Sequence, residues 1–321
     1  MPISRRHFTA ALALTPALGL PAWGQQGNWP NKPLRVICPY PPGGSADIIT
    51  RFVSDRISKE LGQPVIVENR PGAGATLGTE FAVRMEPDGY NFFITPTATV
   101  TVAPWLRPVK YAPDSFAAIA KLSSSYGLIS ARKDAPFSDY REFVAAAKAN
   151  PGKYTFASNG VGSIVHLTAV RLHSMAGIDV VHVPYKGAIE SMNDMLGGRI
   201  DLMYDPVTLP RVQEGALKAL ATSGLQRNPA LPELPTLQEQ GFELNTASWF
   251  GLFAPKGTPA DIVERMAQAA EQSLSGPEVR AQLELSSMYP DFEGPAAFGK
   301  RVQADAATMR DIIKKENIKV E

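Results

Sequence analysis

Two α/β units, each a mostly parallel sheet flanked by helices, are what the 321-residue sequence predicts. Short apolar runs alternate with amphipathic segments along almost the whole chain, and glycine-rich joints stand between them. The series resumes near residue 130, and a trailing strand and helices after Asn245 belong to neither unit alone. The economical path leaves the first unit near Ser130, builds the second and returns near Asn245. That gives one domain from 28–129 with 246–321 and another from 130–245.

The first unit opens at Leu34–Tyr40, an apolar run of strand character. Ile48, Ile49, Phe52, Val53, Ile57 and Leu61 then recur at helical spacing until Gly62 stops the helix. Pro64–Glu68 is the second strand. A helix from about Thr76 to Met85 and a strand at Tyr90–Thr95 complete β-α-β-α-β, the order of parallel strands joined by crossover helices. Phe116–Leu122 and Tyr126–Ala131 are strands, and Ser138 is placed to cap a helix that ends at about Ala149, before Asn150-Pro151-Gly152. Strand Tyr154–Ala157 leads through Ser158-Asn159-Gly160-Val161-Gly162-Ser163 into a helix carrying Leu167, Val170 and Leu172. Strand Val180–Val183, helix Ile189–Leu196 and strands Ile200–Tyr204 and Leu217–Thr222 continue the series. The proline-rich piece Asn228–Pro235 reads as a surface connection. Strand Ser248–Ala254 and helices over Pro259–Leu274, Pro277–Leu283 and Pro295–Lys315 close the chain.

Residues 1–24 stand apart. Ser4-Arg5-Arg6-His7-Phe8 precedes an apolar stretch from Thr9 to Trp23, and Ala22 and Gly24 make a small-x-small site ahead of Gln25. This predicts a cleaved export signal of the twin-arginine kind. The stretch is shorter than the roughly 20 residues a membrane span needs, and Pro16 and Pro21 interrupt it. Removing these residues takes Arg5 and Arg6 from the 32 basic residues and nothing from the 31 acidic ones, which moves the formal net charge from +1 to −1. A near-neutral chain speaks against a nucleic-acid binder, which presents a basic face. The single cysteine, Cys38, falls in the first strand run. No internal disulfide forms, and the thiol reads as a core residue, not a nucleophile.

In sheets of this kind, ligands gather where loops and helix starts meet at the carboxyl ends of strands. Tyr40-Pro41-Pro42-Gly43-Gly44-Ser45-Ala46-Asp47, Asn69-Arg70-Pro71-Gly72-Ala73-Gly74 and Ser158–Ser163 all fall at such places. In the first, prolines stiffen the approach, glycines bare the amides, and Ser45 is placed to cap a helix whose partial positive charge suits a small anion. Turn formation alone would also explain the glycines. Nucleotide motifs are missing: the joint lacks the lysine of G-x-x-x-x-G-K-[ST], and no G-x-G-x-x-G follows the first strand. Carboxylate suits a few amides and hydroxyls better than a triphosphate does. There is no G-x-S-x-G elbow, and Ser163, His166 and Asp205 can be drawn as a triad only as similar sets can in many proteins. His166 and His173 lie two helical turns apart, too far for joint metal ligation, and His182 falls in a strand; no metal or cofactor is expected.

On these residues the chain resembles the solute receptors of tripartite tricarboxylate transporters, also called Bug receptors. The likeness covers essentially all the chain after the export segment. It rests on YPPGGSAD, VENRPGAG, ASNGVGS, VPYKGAIESMNDMLGGRID and SWFGLFAPKGTP, in that order. It implies a type II-like periplasmic binding protein, with no catalytic role, whose two domains close on a small organic acid in the cleft between them. The acid is a dicarboxylate, an amino acid or an aromatic acid, delivered by a monomeric receptor to membrane permease subunits. By the same resemblance Tyr40, Gly43, Gly44, Ser45, Ala46 and Asp47 cradle a ligand carboxylate through backbone donors and ordered waters. Ser158, Asn159, Gly162 and Ser163 grip the other end, and Thr97, Tyr185, Lys186 and Asp205 stand on further cleft loops. Gly72 and Gly74 are structural, and Arg70 belongs to an ion pair. Ala188 replaces a second glycine common after PYKG, and Pro206 an asparagine common after the aspartate. Two rival readings use the same cleft: an exported α/β hydrolase-like enzyme, and a ligand-presenting partner of a sensor.

Overall fold

A computed structural model describes residues 29–43, 45–185, 188–243, 248–284 and 287–319. The export segment, Gly44 and Lys186 therefore lie outside the described residues. In chain order, β1 (Leu34–Cys38), α1 (Ser45–Leu61), β2 (Val65–Asn69), α2 (Thr76–Val83) and β3 (Asn91–Pro96) form the expected opening series. Two short helices, α3 (Thr97–Thr101) and α4 (Ala103–Leu106), precede β4 (Phe116–Ser125). The middle of the chain holds β5 (Ile129–Arg132), α5 (Tyr140–Ala149), β6 (Thr155–Ser158), α6 (Ile164–Ala176) and β7 (Val181–Pro184). It continues through α7 (Ala188–Leu196), β8 (Leu202–Met203), α8 (Leu209–Gln213) and β9 (Leu217–Ala221). The chain ends with β10 (Trp249–Pro255), α9 (Ala260–Ser273), α10 (Pro277–Glu284), β11 (Met288–Glu293) and α11 (Pro295–Lys315).

The strands make two sheets, in the orders β11-β4-β10-β3-β1-β2 and β7-β6-β8-β5-β9. Both are mixed, which corrects the expectation of mostly parallel sheets. β1 pairs parallel with β2 and β3, and β6 with β7 and β8. β10 runs antiparallel to β3 and β4, β11 to β4, and β5 to β8 and β9. Parallel pairs arise where a helix carries the chain back between strands. β10 instead re-enters after the chain has built the second sheet, and it slots between β3 and β4 in the opposite sense.

Two local expectations also change. The cap of α5 is Asp139, not Ser138: Asp139 Oδ1 accepts from Glu142 N at 2.8 Å, while Ser138 N donates to Glu142 Oε2 at 2.7 Å. Glu142 stands three residues beyond Asp139, the spacing at which cap and third residue exchange hydrogen bonds. β11 has no counterpart in the sequence reading because Pro290 breaks its pattern. The proline is tolerated because β11 is an edge strand whose register shifts between Pro290 and Glu293.

Strand alternation divides the first core into two layers. Val36, Phe92, Ile94 and Leu252 face α1 and α9, whereas Ile37, Phe93 and Phe253 pack with Phe298 of α11. Phe156 and Leu202 likewise face one layer of the second core, and Ala157 and Met203 the other. Cys38 is buried, and burial pushes its thiol pKa up, as a core position requires.

The chain passes between the sheets after β4 and again between β9 and β10. The two passages lie against each other. Thr222 Oγ1 donates to Gly127 O at 2.7 Å, Ser223 N to the same oxygen at 3.4 Å, and Ser125 N to Ser248 O at 2.8 Å. Gly127 has φ +28°, and a Cβ there would stand 2.0 Å from Ser223 Oγ. Gly127→Ala is therefore expected to cost about 1–3 kcal/mol in urea unfolding, with Ser223→Gly in the same chain recovering part of it. Unchanged stability of the single variant would show that the passage has room for a side chain.

Candidate ligand-binding cleft

Two cavities lie where the loops of the two sheets meet, and Asn159 lines both. The larger, about 240 Å³, takes Ser45, Ser125, Ser248, Phe250, Ser287 and Met288 from the first lobe. The second lobe gives it Ile164, Val165 and Thr168 of α6 together with Tyr204, Asp205 and Pro206, and the passages give it Gly127 and Ser223. The smaller, about 160 Å³, lies between Tyr40, Gly74 and the segment Ala98–Arg107 on one side and Asn159, Val161, Gly162 and Ser163 on the other. Hydroxyls dominate the polar lining. Asp205 is the one charged side chain among the described residues of the larger cavity, and Arg107 that of the smaller. The starts of α1 and α6, helices of 17 and 13 residues, both reach the larger cavity through Ser45 and Ile164. Helix starts carry partial positive charge, so the cleft offers an anion neutral donors and dipoles.

The first joint is built around Asp47. Its buried carboxylate accepts from Gly43 N at 3.0 Å, from Arg51 Nε at 3.0 Å and from Asn69 Nδ2 at 2.8 Å, while Asn69 Nδ2 also reaches Tyr40 O at 3.0 Å. Burial alone would raise the Asp47 pKa; Arg51, the Gly43 amide and Asn69 outweigh it and hold the carboxyl below its usual range. Asp47 and Ala46 are buried and the Gly43 amide is engaged by Asp47, so none of these three lines either of the two described cavities. The reason is local. A helix start accepts an acid in its first turn, and here that acid serves its own loop. Tyr40 and Ser45 do reach cavities, Tyr40 with its hydroxyl 3.2 Å from Thr99 Oγ1. Arg70 is paired with Glu68, Nε to Oε1 at 2.5 Å, and lies over Phe81.

The second joint divides in the same way. Ser158 is buried beneath the loop, its Oγ 2.7 Å from His182 Nε2. Asn159, Gly162 and Ser163 line cavities; Asn159 Nδ2 donates to Asp205 Oδ2 at 2.9 Å, and Ser163 Oγ caps α6 by accepting from His166 N at 3.2 Å. Asp205 also accepts from Val207 N at 2.9 Å. The triad drawn from Ser163, His166 and Asp205 does not assemble. His166 Nδ1 accepts from Gly162 N at 3.1 Å, and Asp205 is held by Asn159.

Two more expected residues are structural. Thr97 is buried and bridges to β10, its Oγ1 accepting from Trp249 N at 2.8 Å, so the cleft threonine of this segment is Thr99. Tyr185 donates to Asp194 Oδ2 at 2.7 Å, and burial together with Asp194 pushes its phenol up to about 12. Pro206 itself lines the larger cavity. Sequence reasoning missed Ser125, Thr168, Ser223, Ser248 and Ser287, which lie outside any glycine-rich motif and meet only in the folded chain. Among the described residues no group of three or more His, Cys, Asp or Glu is placed to hold a metal, and no helix is long and apolar enough to cross a membrane.

A cleft walled by two helix-covered sheets, reached by two helix starts and lined by hydroxyls, defines a two-domain solute-binding protein. The chain matches the family described as tripartite tricarboxylate transporter family receptor over residues 49–318, and it belongs to that family of periplasmic solute receptors. It is 37% identical over 322 residues to the UPF0065 protein in the gbd 5' region of Cupriavidus necator, covering 98% of each chain. A solved periplasmic transporter is 38% identical with a TM-score of 0.74, over 91% of this chain and 100% of that one. MatC of Rhodopseudomonas palustris, solved with bound malate, is 28% identical with a TM-score of 0.70 over 89% and 100%. Rpa4515 of R. palustris, solved with adipate, is 27% identical with a TM-score of 0.74 over 91% and 99%.

Asp47→Ala would leave the Gly43 amide and Arg51 without this acceptor and Asn69 with only Tyr40 O, at an expected cost of about 1–3 kcal/mol in chemical unfolding at neutral pH. Because the folded carboxyl lies below the usual 3.8, the wild-type advantage is complete above that value and is lost as pH falls through the folded pKa. A gap between the proteins that persists at lower pH would assign the stabilisation to packing.

Proposed function

We propose that the chain captures a small carboxylate between its lobes and presents it to the permease subunits of a tripartite transporter, acting as a monomer and without catalysis. The observation that carries this is the convergence of two helix starts and a ring of hydroxyls on one cavity that holds no lysine or arginine among its described residues. Such a site stabilises one negative group by many weak donors and releases it without breaking an ion pair. Malate in MatC and adipate in Rpa4515 support a dicarboxylate, with amino acids and aromatic acids next in line. Tyr40, Ser45, Asn159, Gly162, Ser163 and Asp205 are the cleft-lining part of the expected site, joined by Thr99, Thr168, Tyr204, Ser223 and Ser248. Against an enzyme stands the use of Ser163 Oγ and His166 Nδ1 as acceptors of backbone amides.

The domains are 28–129 with 246–321, and 130–245, moving about the paired passages; the two separate sheets support this division, with Ile129 already pairing in the second. Export through the Arg5-Arg6 pair completes the reading. A thermal-shift screen of malate, adipate, glutamate and nicotinate should find one acid that, at 100 times its Kd, adds about 2.7 kcal/mol without being turned over. Scattering at saturation should show a smaller radius than the free protein. Turnover of the bound acid would establish the enzyme reading, and an identical radius would rule out closure. Asn159→Leu, altering both cavities at once, should weaken binding by about tenfold or more while the ligand-free melting temperature stays near native; undiminished affinity would move the site elsewhere. Arg5→Lys with Arg6→Lys should leave the precursor in the cytoplasm, and unchanged periplasmic yield would point to another export route.

A further inference from the structure

His166, His173 and His182 gather beneath the 158–163 loop. The rings of His166 and His182 stack with centroids 4.0 Å apart at 20°, and Phe156 stacks on His182 at 4.8 Å. His173 meets Phe156 edge-on at 5.0 Å, with its Nε2 2.7 Å from Tyr204 OH. Each ring of the stacked pair holds one end of the loop. His182 Nε2 is 2.7 Å from Ser158 Oγ, which in turn accepts from Gly160 N at 3.2 Å. His166 Nδ1 accepts from Gly162 N at 3.1 Å, next to the cap Ser163. Between these anchors lie Asn159 and Val161, which line the cleft.

We propose that His166 and His182 are positioning residues for the 158–163 loop, and that the loop keeps its ligand-capturing shape only while His166 is unprotonated at Nδ1. The inference rests on the cleft being the ligand site. An amide N–H pointing at Nδ1 requires a lone pair there, so His166 carries its proton on Nε2, and a second proton would set donor against donor. Two charged rings at 4.0 Å would also repel. The groups facing the pair are the ring of Phe156, the loop atoms of Ser158, Gly160 and Gly162, and, across Phe156, His173 with Tyr204. Among the described residues no carboxylate forms an ion pair with either ring, and the nearby Asp205 is occupied by Asn159 and Val207.

Burial lowers the pKa of His166, and burial together with His166 takes that of His182 to about 4. Burial and, less strongly, His182 take His173 to about 3. Each lies below the ordinary 6.5, so the neutral pair contributes fully above that value, and the contribution is lost as pH falls through the folded pKa values. Carboxylate capture is thus firm at neutral pH and fails in acid because the loop lets go.

The test follows the Gly162 amide and the His166 ring by NMR in the ligand-free protein as pH is lowered, beside the pH profile of affinity for malate or adipate. The Gly162 amide should move with the midpoint of the His166 ring. His166→Leu, without an acceptor, should bind about tenfold more weakly at neutral pH. His166→Gln, a neutral acceptor that does not titrate, should restore what leucine loses and shift the acid limb of the profile. A Gly162 amide indifferent to the His166 titration, or an unaltered acid limb in His166→Gln, overturns the proposal. Should His166→Leu fail to fold, the wild-type titration and the glutamine variant decide it. Failure of every acid in the screen to bind wild-type protein would sink the receptor reading, while the Gly162 titration would still decide whether the histidines position the loop.

Discussion

Two strips of chain, Tyr126–Leu128 and Thr222–Gly224, lie so close that a Cβ at Gly127 would stand 2.0 Å from Ser223 Oγ. Everything about the cleft depends on that crossing. It is where the chain leaves one sheet, and where the segment after β9 begins its return. It also sets the floor of the larger cavity, through Gly127 and Ser223. A wider crossing would separate the starts of α1 and α6, which both reach the larger cavity. The close approach is held by hydrogen bonds from Thr222 and Ser223 to Gly127 O, and these link passages more than ninety residues apart in sequence.

Within that frame, polar side chains divide by whether they line a cavity or support what lines it. Asp47 ties the described part of the first joint together through three kinds of donor, the Gly43 amide, Arg51 and Asn69. Ser158, His166 and His182 do the same for the second joint from below. The starts of α1 and α6 reach the larger cavity through Ser45 and Ile164. The larger cavity is sparing of formal positive charge: among its described residues Asp205 is the one charged side chain, and the remaining polar groups are hydroxyls and the Asn159 amide.

How far the amino-acid sequence reaches can be argued from particular residues. The strand run LRVIC, the helical spacing from Ile48 to Leu61 and the closing helix Pro295–Lys315 are written in local periodicity, and the structure reproduces them within a few residues. Strand direction was less legible, because the partner of β10 is chosen by a return from the far sheet and not by any neighbouring residue. β11 stayed hidden because its tolerance of Pro290 depends on being an edge.

The joints YPPGGSAD and SNGVGS were visible as motifs, and with them the place of the cleft. Which members of each joint line the cavities was not. Asp47 and Ser158 turn inward because Asn69, Arg51 and His182, distant in sequence, offer buried partners. Thr97 is taken by Trp249 for the same reason. The hydroxyls of Ser125, Ser223 and Ser248 carry no motif and become neighbours only where the two passages cross. Sequence by itself determined the α/β class, the succession of helices and strands and the loops that bear the site, since these follow from residue periodicity and backbone preference. Tertiary structure alone decided pairing sense, the residues that line the cavity and the gathering of three histidines, because each depends on contacts between segments that no local pattern brings together.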